Sequence, residues 1–113
     1  MITGLDHVQL AAPPGCEDQA RRFFCDVLGL LELAKPQALQ SRGGVWFQAG
    51  AQQLHVGVQQ DFAPARKAHP AFRVDDLDRL AARLGDVTWD DSIPGTRRFY
   101  ADDPFGNRLE FLE

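Results

Sequence analysis

The chain has 113 residues, room for one compact domain and too few for two of ordinary size. Apolar residues make up 44% and charged residues 25%, so a sizeable core can form and disorder of the whole chain is excluded. With 12 basic and 16 acidic residues the formal charge is -4, and the arginines are scattered among carboxylates, which argues against nucleic acid as a partner.

No apolar run reaches the roughly 18 residues that a membrane helix needs, and the opening Met1-Ile2-Thr3-Gly4-Leu5-Asp6-His7 lacks the basic-then-apolar layout of a signal peptide. The chain is expected to be cytoplasmic, with no membrane partner. Gly4 to Ala11 reads as a first strand, ended by Pro13, Pro14 and Gly15. From Glu17 to Leu28 the residues Ala20, Phe23, Phe24, Val27 and Leu28 fall on one helical face, with Gly29 as the residue that closes the helix. Strands are predicted at Leu30 to Leu33, Gly44 to Ala49 and Gln53 to Val58, the last two joined through Gly50 and Ala51.

Residues 59–67, with Pro64, read as a linker, after which the order of elements starts again. Ala68 to Val74 is a strand. Asp75 and Asp76 offer caps to a helix carrying Leu77, Leu80, Ala81 and Leu84, and Gly85 ends it. Strands at Val87 to Trp89, Arg97 to Ala101 and Asn107 to Leu112 follow, and Asp103-Pro104-Phe105-Gly106 has the residues of a type I turn. The expected fold is α+β: two βαβββ modules, about 1–58 and 68–113, forming one domain with a cupped mixed sheet and helices on its outer face. Modules of this size bury a sheet poorly alone, so they are expected to pack as one unit or to exchange between chains.

The two cysteines, Cys16 and Cys25, are nine helical residues apart, about 13 Å, too far for a disulfide. Both thiols are expected to be free. Cys16 stands where a helix N-terminus would favour a thiolate, but no histidine lies nearby in sequence to serve as its base.

Strand parity sorts the polar residues. If Val8 and Leu10, Leu54, Val56 and Val58, Phe72 and Val74, and Leu109 and Phe111 pack toward the helices, then His7, Gln9, Gln53, His55, His69, Arg73, Arg108 and Glu110 share the other face. All three histidines of the chain fall there. His7 and His69 open the two modules, and His55 and Glu110 close them, so the four form two repeat-related pairs. Imidazoles and a carboxylate are ligands for a divalent transition metal, and three or four of them leave positions open for substrate. The same face can also be the plain solvated side of an antiparallel sheet. Trp46, Gln48, Arg98 and Tyr100 suit a pocket wall, although Trp46 and Tyr100 are equally core aromatics by type, and the arginines equally serve solubility.

Four segments carry a resemblance that spans essentially the whole chain: Leu5-Asp6-His7-Val8-Gln9-Leu10; Arg22-Phe23-Phe24 through Leu28-Gly29-Leu30; Ala68-His69-Pro70-Ala71-Phe72-Arg73-Val74-Asp75; and Asp103-Pro104-Phe105-Gly106-Asn107-Arg108-Leu109-Glu110. They resemble the vicinal oxygen chelate superfamily, which includes glyoxalase I, extradiol dioxygenases and bleomycin-resistance proteins. The resemblance implies metal-ligand positions at His7, His69 and Glu110 and a fourth at His55, where glyoxalase I has glutamate. It implies a divalent metal, whether iron, nickel, manganese, cobalt or zinc, and a small anionic substrate with adjacent oxygens, chelated by the metal. Gln9, Trp46, Gln48, Gln53, Arg73, Arg98, Tyr100 and Arg108 would then line the substrate pocket. A lyase, isomerase or dioxygenase is expected, with a metal-free binding protein of the bleomycin-resistance kind as the alternative. A homodimer is expected.

Overall fold

The computed structural model describes residues 1–113, which fall into two compact units, Met1–Ala63 and Pro64–Glu113. The first unit runs β1 (His7–Ala12), α1 (Glu17–Arg21) continuing into a wider helical segment (Arg22–Val27), β2 (Leu31–Leu33), a 3-10 segment (Gln37–Arg42), β3 (Val45–Ala49) and β4 (Gln52–Val58). The second runs β5 (Ala71–Arg73), α2 (Leu77–Leu84), β6 (Thr88–Asp90), β7 (Arg98–Asp102) and β8 (Arg108–Leu112). The sheets have the same plan, β1-β4-β3-β2 and β5-β8-β7-β6. In each, the first strand runs parallel to the last and the other pairs are antiparallel. No helix is long and apolar enough to cross a membrane.

In the first unit Ala20 and Phe24 are fully buried, and the Phe24 ring lies 5.3 Å from that of Phe47 on β3. Leu10, Val45, Leu54 and Val56 complete this core. In the second unit Leu77 and Leu80 of α2 are buried, as are Phe99, Leu109 and Phe111 on the sheet. Asp76 caps α2 by accepting a hydrogen bond from the Arg79 amide at 3.0 Å, as the sequence predicts.

Three local readings need correction. The helix after Glu17 does not keep its α-helical pitch: the Leu28 amide reaches the Phe23 carbonyl, five residues back, at 3.0 Å. Periodicity cannot show this, because a widened turn still buries Phe24. Val8 points as parity requires, yet it is 37% exposed, because it lies near the open end of edge strand β1. The stretch before β5 is shorter in strand than expected, with pairing only from Ala71.

Glu17 ties α1 to β3. Its carboxylate accepts a hydrogen bond from the Gly44 amide at 2.7 Å, which is the main reason its pKa lies below the ordinary glutamate value. A carboxyl whose pKa is depressed on folding adds stability above its unfolded pKa and loses it as the pH falls through the folded one. Glu17→Gln should therefore show a smaller fall in melting temperature between pH 6 and pH 3 than the wild type. Equal falls in the two proteins would show that the contact carries no charge.

Candidate functional site

The register repeats between the units in a way that places the four candidate ligands. Gln9 pairs with His55, and Ala71 pairs with Glu110. His7 and His69 each stand two residues before the first member of such a pair. Trp46 is the β3 partner of His55, and Tyr100 is the β7 partner of Glu110. Each unit thus presents a histidine two residues ahead of its paired position, a potential ligand from its last strand and an aromatic ring from the strand on that one's other side.

In the first unit these groups stack. The His55 ring lies 3.9 Å from Trp46 and 4.1 Å from His7, with interplanar angles of 6° and 15°. His7 Nδ1 is 2.9 Å from the Asp6 carboxylate, which can only accept, so Nδ1 carries a proton and Nε2 is the nitrogen left outside that contact. His55 is held the other way round: Nε2 donates to Gln53 Oε1 at 2.8 Å. It is buried, and burial first, then the nearby His7, pushes its pKa down, so the ring is neutral at pH 7. Imidazole lone pairs lie in the ring plane. Two planes 15° apart with centroids 4.1 Å apart do not converge on an ion about 2 Å from each nitrogen. In this stack His55 buttresses His7, and the geometry does not favour it as a ligand beside His7.

In the second unit the arrangement is polar. His69 Nδ1 lies 2.8 Å from the Lys67 carbonyl, and Nε2 lies 2.9 Å from Glu110 Oε1. A carbonyl only accepts, so Nδ1 carries a proton and Nε2 is turned on the carboxylate. Glu110 Oε2 takes a hydrogen bond from Arg98 at 3.2 Å. Burial pushes the Glu110 carboxyl up, but the hydrogen bonds from His69 and Arg98 outweigh it and the net shift is downward. A bare nitrogen lone pair and a carboxylate oxygen do not rest 2.9 Å apart without positive charge between them, whether a proton on His69 or a metal ion. Two ligands bound at right angles to one ion at about 2.1 Å are about 3 Å apart. The spacing and the donor types fit a divalent metal.

No group of three or more His, Cys, Asp and Glu gathers as a metal site. The candidate ligands come as pairs, His7 with His55 and His69 with Glu110. Among the expected pocket residues, Trp46, Gln53, Arg98 and Tyr100 contact these pairs. Arg108 lies over the Tyr100 ring, 3.8 Å from its centre. Gln48 is spent on the β3–β4 turn, donating to the carbonyls of Gly50 and Gln52. Arg73 is exposed and donates to the Glu113 carbonyl. Gln9 is exposed and lies over Gly57, where a Cβ would collide with its amide. Sequence reading missed Asp90 and Ser92, which hold Arg98 from β6 and the loop after it. Their only sequence signal is an acidic, turn-forming Asp90-Asp91-Ser92.

Both cysteines are free. Burial first, then the adjacent Glu17, pushes the Cys16 thiol up to about 11, so no thiolate nucleophile forms there at pH 7.

No protein-family model and no curated protein matches the sequence. Solved structures do. A glyoxalase family protein from Bacillus anthracis is 49% identical with a TM-score of 0.96, the match covering 100% of this chain and 96% of that one. A lactoylglutathione lyase from Agrobacterium tumefaciens is 25% identical with a TM-score of 0.76, covering 99% and 94%. The fosfomycin resistance protein FosX from Mesorhizobium loti, at 22% identity, shares the fold with a TM-score of 0.71, covering 99% and 92%.

Proposed function

Because the chain belongs to the glyoxalase family of the vicinal oxygen chelate superfamily, we propose that it is a divalent-metal-dependent enzyme, a lyase, isomerase or dioxygenase, acting on a small anionic substrate with adjacent oxygens. The observation that carries this reading is the His69–Glu110 pair, set 2.9 Å apart with the other imidazole nitrogen fixed on a carbonyl. His69 and Glu110 would hold the metal, with His7, fixed in the same tautomer by Asp6, as the third ligand. A divalent ion there would act as a Lewis acid on adjacent substrate oxygens. We propose also that the protein is a homodimer.

The chain's own residues set the stage for that chemistry. Arg98 occupies Glu110 Oε2 and leaves Oε1 directed at His69. Asp90 and Ser92 hold Arg98 in turn, so the carboxylate cannot swing without breaking several contacts. The Trp46–His55–His7 stack holds the His7 ring from one side. Its aromatic groups also suit the second reading, a metal-free small-molecule binding protein of the bleomycin-resistance kind.

Titration with zinc or nickel separates the two readings. Trp46 is stacked on His55 and through it on His7, so metal binding at His7 should change its emission, with Trp46→Phe leaving only the Trp89 signal. Saturation at one ion per chain, lost in His69→Ala, supports the enzyme reading. No binding in the wild type supports the metal-free one. Light scattering at micromolar concentration tests the dimer, and a monomer would remove the version in which copies share a site.

His55 also shapes which reaction is available. Its neutral ring is tied by Nε2–H to Gln53 and enclosed by two rings, so it is a poor proton acceptor beside the substrate. Turnover of the hemithioacetal of glutathione and methylglyoxal should be weak. Wild-type turnover on the order of 10 per second would contradict this.

A further inference from the structure

Three arginines were candidates for holding a substrate anion, and their surroundings distinguish them. Arg73 is exposed and bound to the Glu113 carbonyl. Arg98 is neutralised by two carboxylates, Asp90 and Glu110, each at 3.2 Å. Arg108 has neither kind of partner. Its guanidinium lies 3.8 Å from the centre of the Tyr100 ring, it is half-buried, and no carboxylate is within ion-pair distance.

The Tyr100 ring is itself fixed. Its hydroxyl accepts a hydrogen bond from Arg98 at 2.7 Å, and the His69 ring meets it edge-on at 5.4 Å. A planar cation resting on a fixed ring loses little further freedom on binding, and the stack leaves its N–H edge for a ligand. Arg108 also lies on β8 two residues before Glu110, so the two side chains share a face, about 7 Å apart along the strand.

We propose that Arg108 is the residue that selects an anionic substrate, binding its carboxylate or phosphate oxygens while the adjacent oxygens to be chelated lie toward His69 and Glu110. The inference rests on the reading of this face as the substrate side. Both groups lie on one face of β8, so a single short acid can carry the oxyanion and the adjacent oxygens. Arg98, by contrast, is a positioning residue for Glu110, because its charge is already spent.

The test uses acetate and methylphosphonate as probes of the two oxyanion types, titrated separately into metal-free and metal-loaded protein. Amide shifts of Tyr100 and Arg108 report the binding by nuclear magnetic resonance. Saturable millimolar binding of one or both probes is expected in the wild type, weakened at least about tenfold in Arg108→Gln and less in Arg108→Lys. Arg73→Gln should bind as the wild type does. The stronger probe identifies the oxyanion. A loss in metal-free Arg108→Gln supports the anchor whether or not the metal reading holds. Absence of saturable binding in both wild-type forms, or an equal loss in Arg73→Gln, overturns it and leaves the metal reading to its own titration. Unchanged melting temperatures show that any loss is not one of folding.

Discussion

Glu110→Gln should lower the affinity for a divalent ion by about a hundredfold or more. Structural zinc sites bind with about 10–16 kcal/mol over four ligands, so one ligand is worth on the order of 3 kcal/mol. The glutamine keeps the size of the side chain and its contact with Arg98 but removes the charge that stands 2.9 Å from His69 Nε2. Arg98→Gln should act less strongly, about ten- to a hundredfold, since it loosens the ligand without removing it. Calorimetric titration with zinc distinguishes the two. Equal affinities in wild type and Glu110→Gln would place the ion elsewhere.

Gly44→Ala should be the most damaging single change to the fold. Gly44 has φ of +87°, and a Cβ there would overlap the backbone oxygen of Val56 and lie 3.3 Å from its carbonyl carbon. The obstruction is the neighbouring strand's backbone, so no side chain can move aside to relieve it. A positive φ alone costs a residue with a Cβ about 1–2 kcal/mol. The overlap adds to that, and a loss of about 3 kcal/mol or more is a large part of the stability of a small domain. Gly50→Ala is the control, because its φ of +62° is similar and its Cβ would meet nothing within 4 Å. Urea unfolding should show a loss for Gly44→Ala at least about twice that for Gly50→Ala. Similar losses would mean that the conformation, and not the close approach of β3 to β4, dominates.

Much of this architecture was legible because strands write their faces into alternate residues. His7, His55 and Glu110 could be placed from Leu10, Leu54 and Phe111 alone, and the structure puts those apolar residues in the cores. Turn chemistry was also readable. The Asp103 carboxylate accepts hydrogen bonds from the amides of Phe105 and Asn107, and Asn107 in turn accepts from the Ala65 amide. The segment from Asp103 to Glu110, one of the four that carry the resemblance, is thus largely a device for folding a turn next to Glu110. What parity could not convey was the direction of the ring nitrogens. Face membership makes His7 and His55 equivalent, but Asp6 and Gln53 fix opposite tautomers, and the stack with Trp46 separates their roles. Nor could it rank Arg73, Arg98 and Arg108, because their difference lies in Asp90, Glu110 and Tyr100, neighbours supplied by other strands.

The proposed metal would be held by two imidazoles and one carboxylate. X-ray absorption of the protein loaded with one equivalent of zinc tests this directly. The predicted first shell contains only nitrogen and oxygen at about 2.0–2.2 Å, with outer scattering from two imidazole rings, His7 and His69. A sulfur neighbour at about 2.3 Å, or fewer than two imidazoles, would contradict it.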